Sequence, residues 1–146
     1  MPLPPDAVAD PVVPEAQRAS SALLYRSLFE HAPVEVHLWR VVRDAQGSIR
    51  TWILVDANPA ALAAWSRRRE DVLGRSVDEI CPGAGAVETF LPVIRKIMAS
   101  GRPTQWEAPF AGTGQTLRMV SIPVEDCFVS TGFDVTSERQ RQRELE

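Results

Sequence analysis

The sequence has few cysteines, no long apolar run and no large excess of charge of one sign. Its 146 residues include only two cysteines, Cys81 and Cys127, which argues against a disulfide framework or a cysteine-based zinc site. No stretch has the length and hydropathy of a membrane-spanning helix. The N-terminus has no basic start followed by an apolar core, which argues against a secretory signal peptide. These absences favour a cytoplasmic location.

Acidic and basic residues are nearly balanced outside the N-terminus. Residues 1–15 contain three acidic residues and no Lys or Arg, so the rest of the chain carries 16 charges of each sign. This balance predicts no nucleic-acid-binding surface. The one basic cluster, Arg67–Arg69, is followed by Glu70 and Asp71 and is typical of a solvated helix end. Five prolines in residues 1–15 predict a disordered tail.

The remaining chain is predicted to form one α+β domain over residues 16–136. Residues 16–31 have helical spacing, and residues 34–58 form a hairpin of two strands. Short helices follow up to residue 80, with Asn58-Pro59 as one helix start and Ser76 with Glu79 as a capping box at another. Three strand patterns close the domain at residues 103–110, 115–124 and 126–135. Because these strands form a meander beside the first hairpin, we predict a five-stranded antiparallel sheet with helices packed on one face. Residues 137–146 are predicted to start a C-terminal helix.

The strongest helical pattern lies between Val87 and Ser100, where apolar residues recur at spacings of three and four. Pro92 conflicts with that pattern, because proline in a helix interior removes a hydrogen bond and clashes with the preceding turn. The regular helix is therefore predicted to begin near Phe90 or Leu91, which places Pro92 in the first turn. Gly101 is predicted to end the helix.

The space between the sheet and this helix is the expected ligand site. Its candidate contacts are apolar, aromatic or amide side chains on the predicted elements around it, and the pattern leaves open which way Trp106 and Met119 face on their strands. Each has an alternative interpretation, since Asn58 is a good helix cap and the others suit ordinary core packing. The candidate ligand-binding residues are Asn58, Trp65, Phe90, Ile94, Met98, Trp106 and Met119.

Asp134 and Thr136 are the candidate signal-transmission residues. An Asp at a strand end can accept hydrogen bonds from backbone groups or Arg, and Thr136 can cap the helix that follows. The alternative interpretation is a strand stop and a helix cap without a signalling role.

Metal and catalytic chemistry have weaker support. His37 has no second His, Cys or carboxylate at metal-ligand spacing, so no metal site is predicted, and both cysteines are interpreted as small hydrophobic residues. One alternative stays open, a small α+β-barrel enzyme of the isomerase or hydrolase type. It would use Asp56 and His37, which lie on neighbouring predicted strands.

Four stretches in order resemble the PAS domain family, and the likeness covers about residues 22–138. Leu28–Pro33 resembles the entry into the family's first strand, and Val55–Ala61 resembles its strand-to-helix signature. Arg67–Ser76 resembles its "sree-lxG-s" segment, and Phe133–Glu138 resembles the D-x-T hinge before a signalling helix.

The resemblance implies a non-catalytic sensor and dimerisation module, or a ligand-free interaction module. It implies a homodimer through the N-terminal and C-terminal helices, and an effector such as a histidine kinase, a cyclic-dinucleotide enzyme or a transcription factor. Because the chain ends within a predicted helix, we expect it to be a fragment of a longer protein with the effector downstream.

The resemblance does not identify a cofactor. Flavin-binding light sensors of the family have a reactive cysteine where this chain has Val77, and Cys81 lies four residues later. Haem-binding members commonly place a histidine on the long helix, and residues 87–100 contain none. Neither of these two cofactor patterns fits, whereas a citrate-type pocket stays open.

Overall fold

A computed structural model describes residues 14–110 and 114–146. The predicted disordered tail falls almost entirely on residues 1–13, which lie outside the described residues. The chain divides into two units, residues 1–30 and residues 31–146.

Helix α1 (Glu15–His31) has no buried residue. Its backbone begins with a hydrogen bond of 3.0 Å from the Arg18 amide to the Pro14 carbonyl. Four large apolar or aromatic side chains on this helix are more than half exposed. They are Leu23, Leu24, Tyr25 and Leu28.

The second unit contains a five-stranded antiparallel sheet, which confirms the predicted fold class. The spatial order is β2-β1-β5-β4-β3, so the closing meander pairs with the first hairpin through β1 and β5. The tight turns between β1 and β2 and between β4 and β5 have local causes. Asp44 accepts hydrogen bonds from the amides of Gln46 and Ser48, and Glu125 adopts a positive φ of 55°. The strands are β1 (Glu35–Arg43), β2 (Ile49–Ala57), β3 (Thr104–Phe110), β4 (Gln115–Val124) and β5 (Cys127–Asp134).

Four helices connect β2 to β3, and a fifth follows β5. Two of their N-termini are formed as the sequence predicts. Asn58 caps α2 through the Ala61 amide, and Ser76 with Glu79 forms a capping box on α4. The helices are α2 (Pro59–Trp65), α3 (Arg69–Val72), α4 (Val77–Ile80), α5 (Ala86–Ser100) and α6 (Thr136–Leu145).

The predicted start of α5 is wrong. The helix begins at Ala86, after Gly85 in the left-handed conformation, so Pro92 lies inside it. Pro92 is on the exposed side of the helix, where water can satisfy the carbonyl that loses its partner. Burial of Ile94 and Ile97 on the opposite side stabilises the helix by several kcal/mol, on the order of 1.5–3 kcal/mol per buried side chain. That gain offsets a proline cost of about 3 kcal/mol.

The core lies between the inner face of the sheet and helices α2 to α5. The inner face follows from alternation along the strands, as in β1, where every second residue from Glu35 to Val41 is buried. The largest fully buried apolar side chains include Leu54, Ile94 and Met119. One part of this interior is not filled.

Candidate functional site

A cavity of about 140 Å³ lies between the inner face of the sheet and the helical side of the domain. All four tryptophans of the chain line it, and so do three of the five phenylalanines. Its aromatic lining residues are Trp39, Trp52, Trp65, Trp106, Phe90, Phe110 and Phe128.

Strand β1 brings a carboxylate and an imidazole into this aromatic lining. Glu35, His37 and Trp39 alternate on the buried face of the strand, and all three line the cavity. Burial raises the pKa of Glu35 to about 7, and the negative charge of Asp134 adds to that effect, whereas the side chain of Trp65 opposes it. A carboxyl group with this pKa is poised to change its charge near neutral pH.

His37 is held in one tautomer. The Trp39 indole donates a hydrogen bond of 2.5 Å to Nδ1 of His37, so the neutral imidazole carries its proton on Nε2. Burial lowers the pKa of His37 to about 4, which keeps the ring uncharged at neutral pH. The ring of Trp65 packs against it with centroids 5.2 Å apart.

A line of hydroxyl groups crosses the inner face of the sheet from β3 toward β1. The Trp106 indole donates to the Ser121 hydroxyl at 2.9 Å, and the hydroxyls of Ser121 and Ser130 are 2.7 Å apart. Ser130 is paired with His37 across β5 and β1 and lines the cavity. Of these groups, Trp106 and Ser130 belong to the cavity lining, and Ser121 links them from behind it.

Three of the aromatic rings that line the cavity also pack against one another. Phe90 of α5 stacks on Phe110 of β3 with centroids 4.9 Å apart. Trp106 lies 5.5 Å from Phe90 and 6.3 Å from Phe110. The alternation of β3 places Trp106 and Phe110 on the same face.

Strand β5 runs from the cavity wall to the start of α6. Asp134 Oδ1 accepts hydrogen bonds from the Thr136 amide at 2.9 Å and from the Thr136 hydroxyl at 2.5 Å. The Thr136 hydroxyl also accepts a bond of 2.8 Å from the Thr116 amide of β4. The predicted capping role of Thr136 is wrong, because Val135 occupies the N-cap position without a side-chain bond and the Thr136 amide is bound by the Asp134 side chain. The hydroxyl instead joins α6 to the sheet.

A second attachment lies one turn into α6. The Arg139 guanidinium donates two hydrogen bonds to the Glu107 carboxylate of β3, one of them at 2.7 Å. Arg118 of β4 lies between this pair and Glu138, 3.6 Å from Glu107 and 3.9 Å from Glu138. The first turns of α6 are therefore held to two strands of the sheet.

Comparison with solved structures identifies the architecture. A domain of a sensory box sensor histidine kinase/response regulator from Geobacter sulfurreducens matches with a TM-score of 0.57 and 20% identity, over 80% of this chain and 96% of that chain. The PAS domain of BvgS from Bordetella pertussis matches with a TM-score of 0.59 and 19% identity, over 86% of this chain and 94% of that one. The chain has the PAS fold. A Rhodobacter sphaeroides LOV protein also matches, with a TM-score of 0.56 and 19% identity, over 80% of this chain and 68% of that chain.

The PAS fold agrees with the resemblance of the four sequence stretches to that family. No family profile matches the chain, and no curated protein matches it. None of the helices in the described part of the chain is long and apolar enough to cross a membrane. Within residues 14–110 and 114–146, no group of three His, Cys, Asp or Glu side chains is arranged to hold a metal ion.

The cavity of this PAS fold does not fit a flavin. An apolar cavity of about 150 Å³ accommodates a molecule of the size of benzene, and the ring system of a flavin is considerably larger. Val77 lines the cavity where the flavin pattern has its cysteine. The thiol of Cys81 also lines it, but burial raises its pKa, which favours the unreactive protonated form.

The structure brings five of the seven predicted ligand contacts together in the cavity lining. They are Trp65, Phe90, Ile94, Trp106 and Met119.

The other two predicted contacts lie elsewhere. Asn58 is fully buried as a helix cap and bridges Val34, Val36 and Ala61, which is its alternative role. Met98 lines a separate shallow hollow beside Arg43 and Arg95, because the apolar stripe of α5 is wider than the cavity.

Sequence reasoning missed the polar end of the cavity. Glu35 and Ser130 are not among the candidate residues, and the sequence favours a packed or exposed His37 over a metal ligand or a catalytic residue. The alternation of Glu35, His37 and Trp39 was the available signal, since it places all three on one face of a strand.

The pair on which the enzyme alternative rested does not form. Asp56 lies opposite Leu38 rather than His37 in the β1–β2 register. Its Oδ1 is 2.5 Å from the Arg69 guanidinium. The two side chains therefore do not make a catalytic dyad in this structure.

Proposed function

We propose that this chain is a non-catalytic sensory module, in which a small molecule in the cavity alters the hold of the sheet on helix α6. Strand β5 carries this proposal. Ser130 lines the cavity, and Asp134, four residues along the same strand, binds Thr136 at the start of α6. If ligand binding shifts β5, the hydrogen bonds between Asp134 and Thr136 move the start of α6 with it.

Electrostatics supports the same route. The charge of Asp134 contributes to the raised pKa of Glu35, so the carboxylate in the cavity and the carboxylate at the hinge repel each other. Hydrogen bonds from Thr136 lower the pKa of Asp134 and keep it ionised. A ligand that neutralises Glu35 would therefore remove its repulsion of Asp134, and by linkage a rearranged hinge would change ligand affinity.

In this proposal α6 leads to an effector domain, for which a histidine kinase or a cyclic-dinucleotide enzyme is the expected class. Sensor histidine kinases and LOV proteins among the structural matches support the signalling role.

We also propose homodimerisation through α1 and α6. Leu24 and Leu28 of α1 are 60% and 59% exposed and lie one turn apart, as in a helix-pairing seam.

The test is to denature protein purified from its native host and identify released small molecules by absorption and mass spectrometry. Hydrogen exchange is then compared between loaded and emptied protein. We expect a released molecule whose removal changes exchange at residues 134–145. A molecule whose removal leaves that segment unchanged would contradict transmission to α6. Release of nothing would instead favour the ligand-free interaction module.

A further inference from the structure

The cavity has a negative group but no positive partner for it. Glu35 is 8% exposed, and no ion pair among the described residues includes it. The residues that line the cavity include no Arg or Lys. His37, the single basic lining residue, is neutral because burial lowers its pKa to about 4. An ionised Glu35 therefore has no counter-charge among the residues that line the cavity, and a cationic ligand would supply one.

One indole ring interacts with Glu35, and a second indole lies near the first. Trp65 interacts with Glu35 and lies 6.1 Å from Trp39 between ring centroids. Indole faces are the aromatic surfaces that attract cations most strongly, and ammonium ions with methyl groups favour such surroundings because they are weakly hydrated. A carboxylate beside one indole, with a second indole close to the first, is a combination that favours an organic cation over a neutral or anionic ligand.

We propose that the cavity binds a small methylated ammonium ion, with Glu35 as its counter-ion and Trp39 and Trp65 as its aromatic walls. This inference rests on the proposed function only in treating the cavity as a ligand site. The volume of about 140 Å³ limits the ligand to a compact ion, since a cavity of about 150 Å³ holds benzene.

The ligand's own charge makes binding dependent on pH in a defined direction. With the pKa of Glu35 at about 7, a permanent cation should bind well at pH 8 and lose about tenfold in affinity per pH unit well below 7. The other titratable groups near Glu35 do not change charge in this range. Asp134 stays ionised because its pKa is lowered, His37 stays neutral, and Cys81 stays protonated because its pKa is raised.

The experiment uses tetramethylammonium and its neutral analogue of nearly equal shape, tert-butanol. Binding is followed by tryptophan fluorescence, since all four tryptophans line the cavity. At pH 8 we expect tetramethylammonium to bind at least tenfold more tightly than tert-butanol. Lowering the pH to 5.5 or introducing Glu35→Gln should remove most of that difference. Glu144→Gln, on exposed α6, is the matched control and should change nothing.

A further variant tests the aromatic wall separately from the counter-ion. Trp65→Leu should weaken tetramethylammonium binding several-fold, and the pH dependence of the unsubstituted protein serves as the test if Glu35→Gln does not fold. Equal binding of the two probes, or binding that is independent of pH, would overturn the ammonium ligand while leaving the cavity as a ligand site. No response to either probe would also overturn it, whereas the release experiment separately decides the sensory role.

Discussion

The Asp134 carboxylate accepts two hydrogen bonds from Thr136, one from its amide and one from its hydroxyl, at 2.9 and 2.5 Å. The same hydroxyl accepts a bond from the Thr116 amide at 2.8 Å. The Thr136 hydroxyl therefore joins three elements, the end of β5, the start of α6 and strand β4. This arrangement makes the first turn of α6 dependent on Asp134.

Replacing Asp134 with Ala should loosen α6 without unfolding the domain. The lost bonds are exposed, so we expect global stability to fall by less than about 1 kcal/mol, while amide exchange at residues 136–140 rises several-fold. Hydrogen exchange with mass spectrometry measures both effects. Asp126→Ala, which removes an exposed ion pair with Arg43, is the control and should leave α6 unchanged. Unaltered exchange at α6 in the Asp134 variant would show that Asp134 does not hold the helix.

A second prediction concerns the pairing of Glu107 with Arg139, which joins α6 to β3. Glu107→Gln and Arg139→Gln should each increase amide exchange in α6, and the double variant should add little beyond either single change. Such non-additivity is expected when two residues act through one shared contact. Arg40→Gln, on the exposed side of β1, provides a matched removal of one arginine charge. Fully additive effects would mean that the two residues act independently.

Local signals in the sequence predicted much of this fold because short-range interactions determine them. The Asn58-Pro59 helix start and the Ser76–Glu79 capping box involve groups only three residues apart. Alternation identified the strands, and the meander next to the hairpin led to the antiparallel sheet. These features needed no knowledge of distant contacts.

The polar end of the cavity could not be predicted in the same way. Whether Glu35 and His37 face the core or water depends on β1 pairing with both β2 and β5 and on the helices that cover one face. A Glu on a strand ordinarily predicts the solvent face, since unpaired acidic residues are rarely buried. Likewise, the burial of Ile94 and Ile97 that offsets Pro92 in α5 is a tertiary effect.

A third prediction tests the burial of Asn58. Its side chain accepts from the Val36 and Ala61 amides and donates to the Val34 carbonyl, all at 2.9–3.0 Å. Asn58→Ala leaves buried backbone groups without partners, so we expect a loss of about 2–4 kcal/mol in the free energy of unfolding. Ser76→Ala removes a more accessible helix cap and should cost about 1 kcal/mol.

Urea unfolding measures the difference between these two cap variants. A similar small loss in both would mean that Asn58 acts as an ordinary N-cap and does not fasten the entry to β1.

A fourth prediction concerns the proposed dimer. Leu24 and Leu28 are exposed one turn apart on α1, and burying each in a helix pair would contribute about 1.5–3 kcal/mol per protomer. The double change Leu24→Glu and Leu28→Glu should therefore weaken dimerisation at least a hundredfold. Analytical ultracentrifugation across a concentration series measures this change. Arg26→Ala, on another side of the helix, should leave the dimer intact, and a dimer that survives the double change would exclude this face.

The final prediction uses the opposite pKa shifts of the two polar cavity residues. The folded-state pKa of Glu35 is about 7 against an ordinary value of 4.5, so its contribution to stability is present at low pH and is lost as the pH rises from 4.5 to 7. The folded-state pKa of His37 is about 4 against 6.5, so stability is lost as the pH falls from 6.5 to 4. Each slope is at most about 1.4 kcal/mol per pH unit.

Between pH 4.5 and 6.5 these two slopes oppose each other, and the stability of the unsubstituted protein should vary little. Glu35→Gln leaves only the histidine effect, so stability should increase with pH across this window. His37→Gln leaves only the carboxyl effect, so stability should decrease. Urea unfolding at half-unit pH steps measures the curves, with Glu144→Gln as the control that should follow the unsubstituted protein. Parallel curves for all four proteins would mean that neither cavity group titrates with a shifted pKa, and the electrostatic link between the cavity and Asp134 would be lost with them.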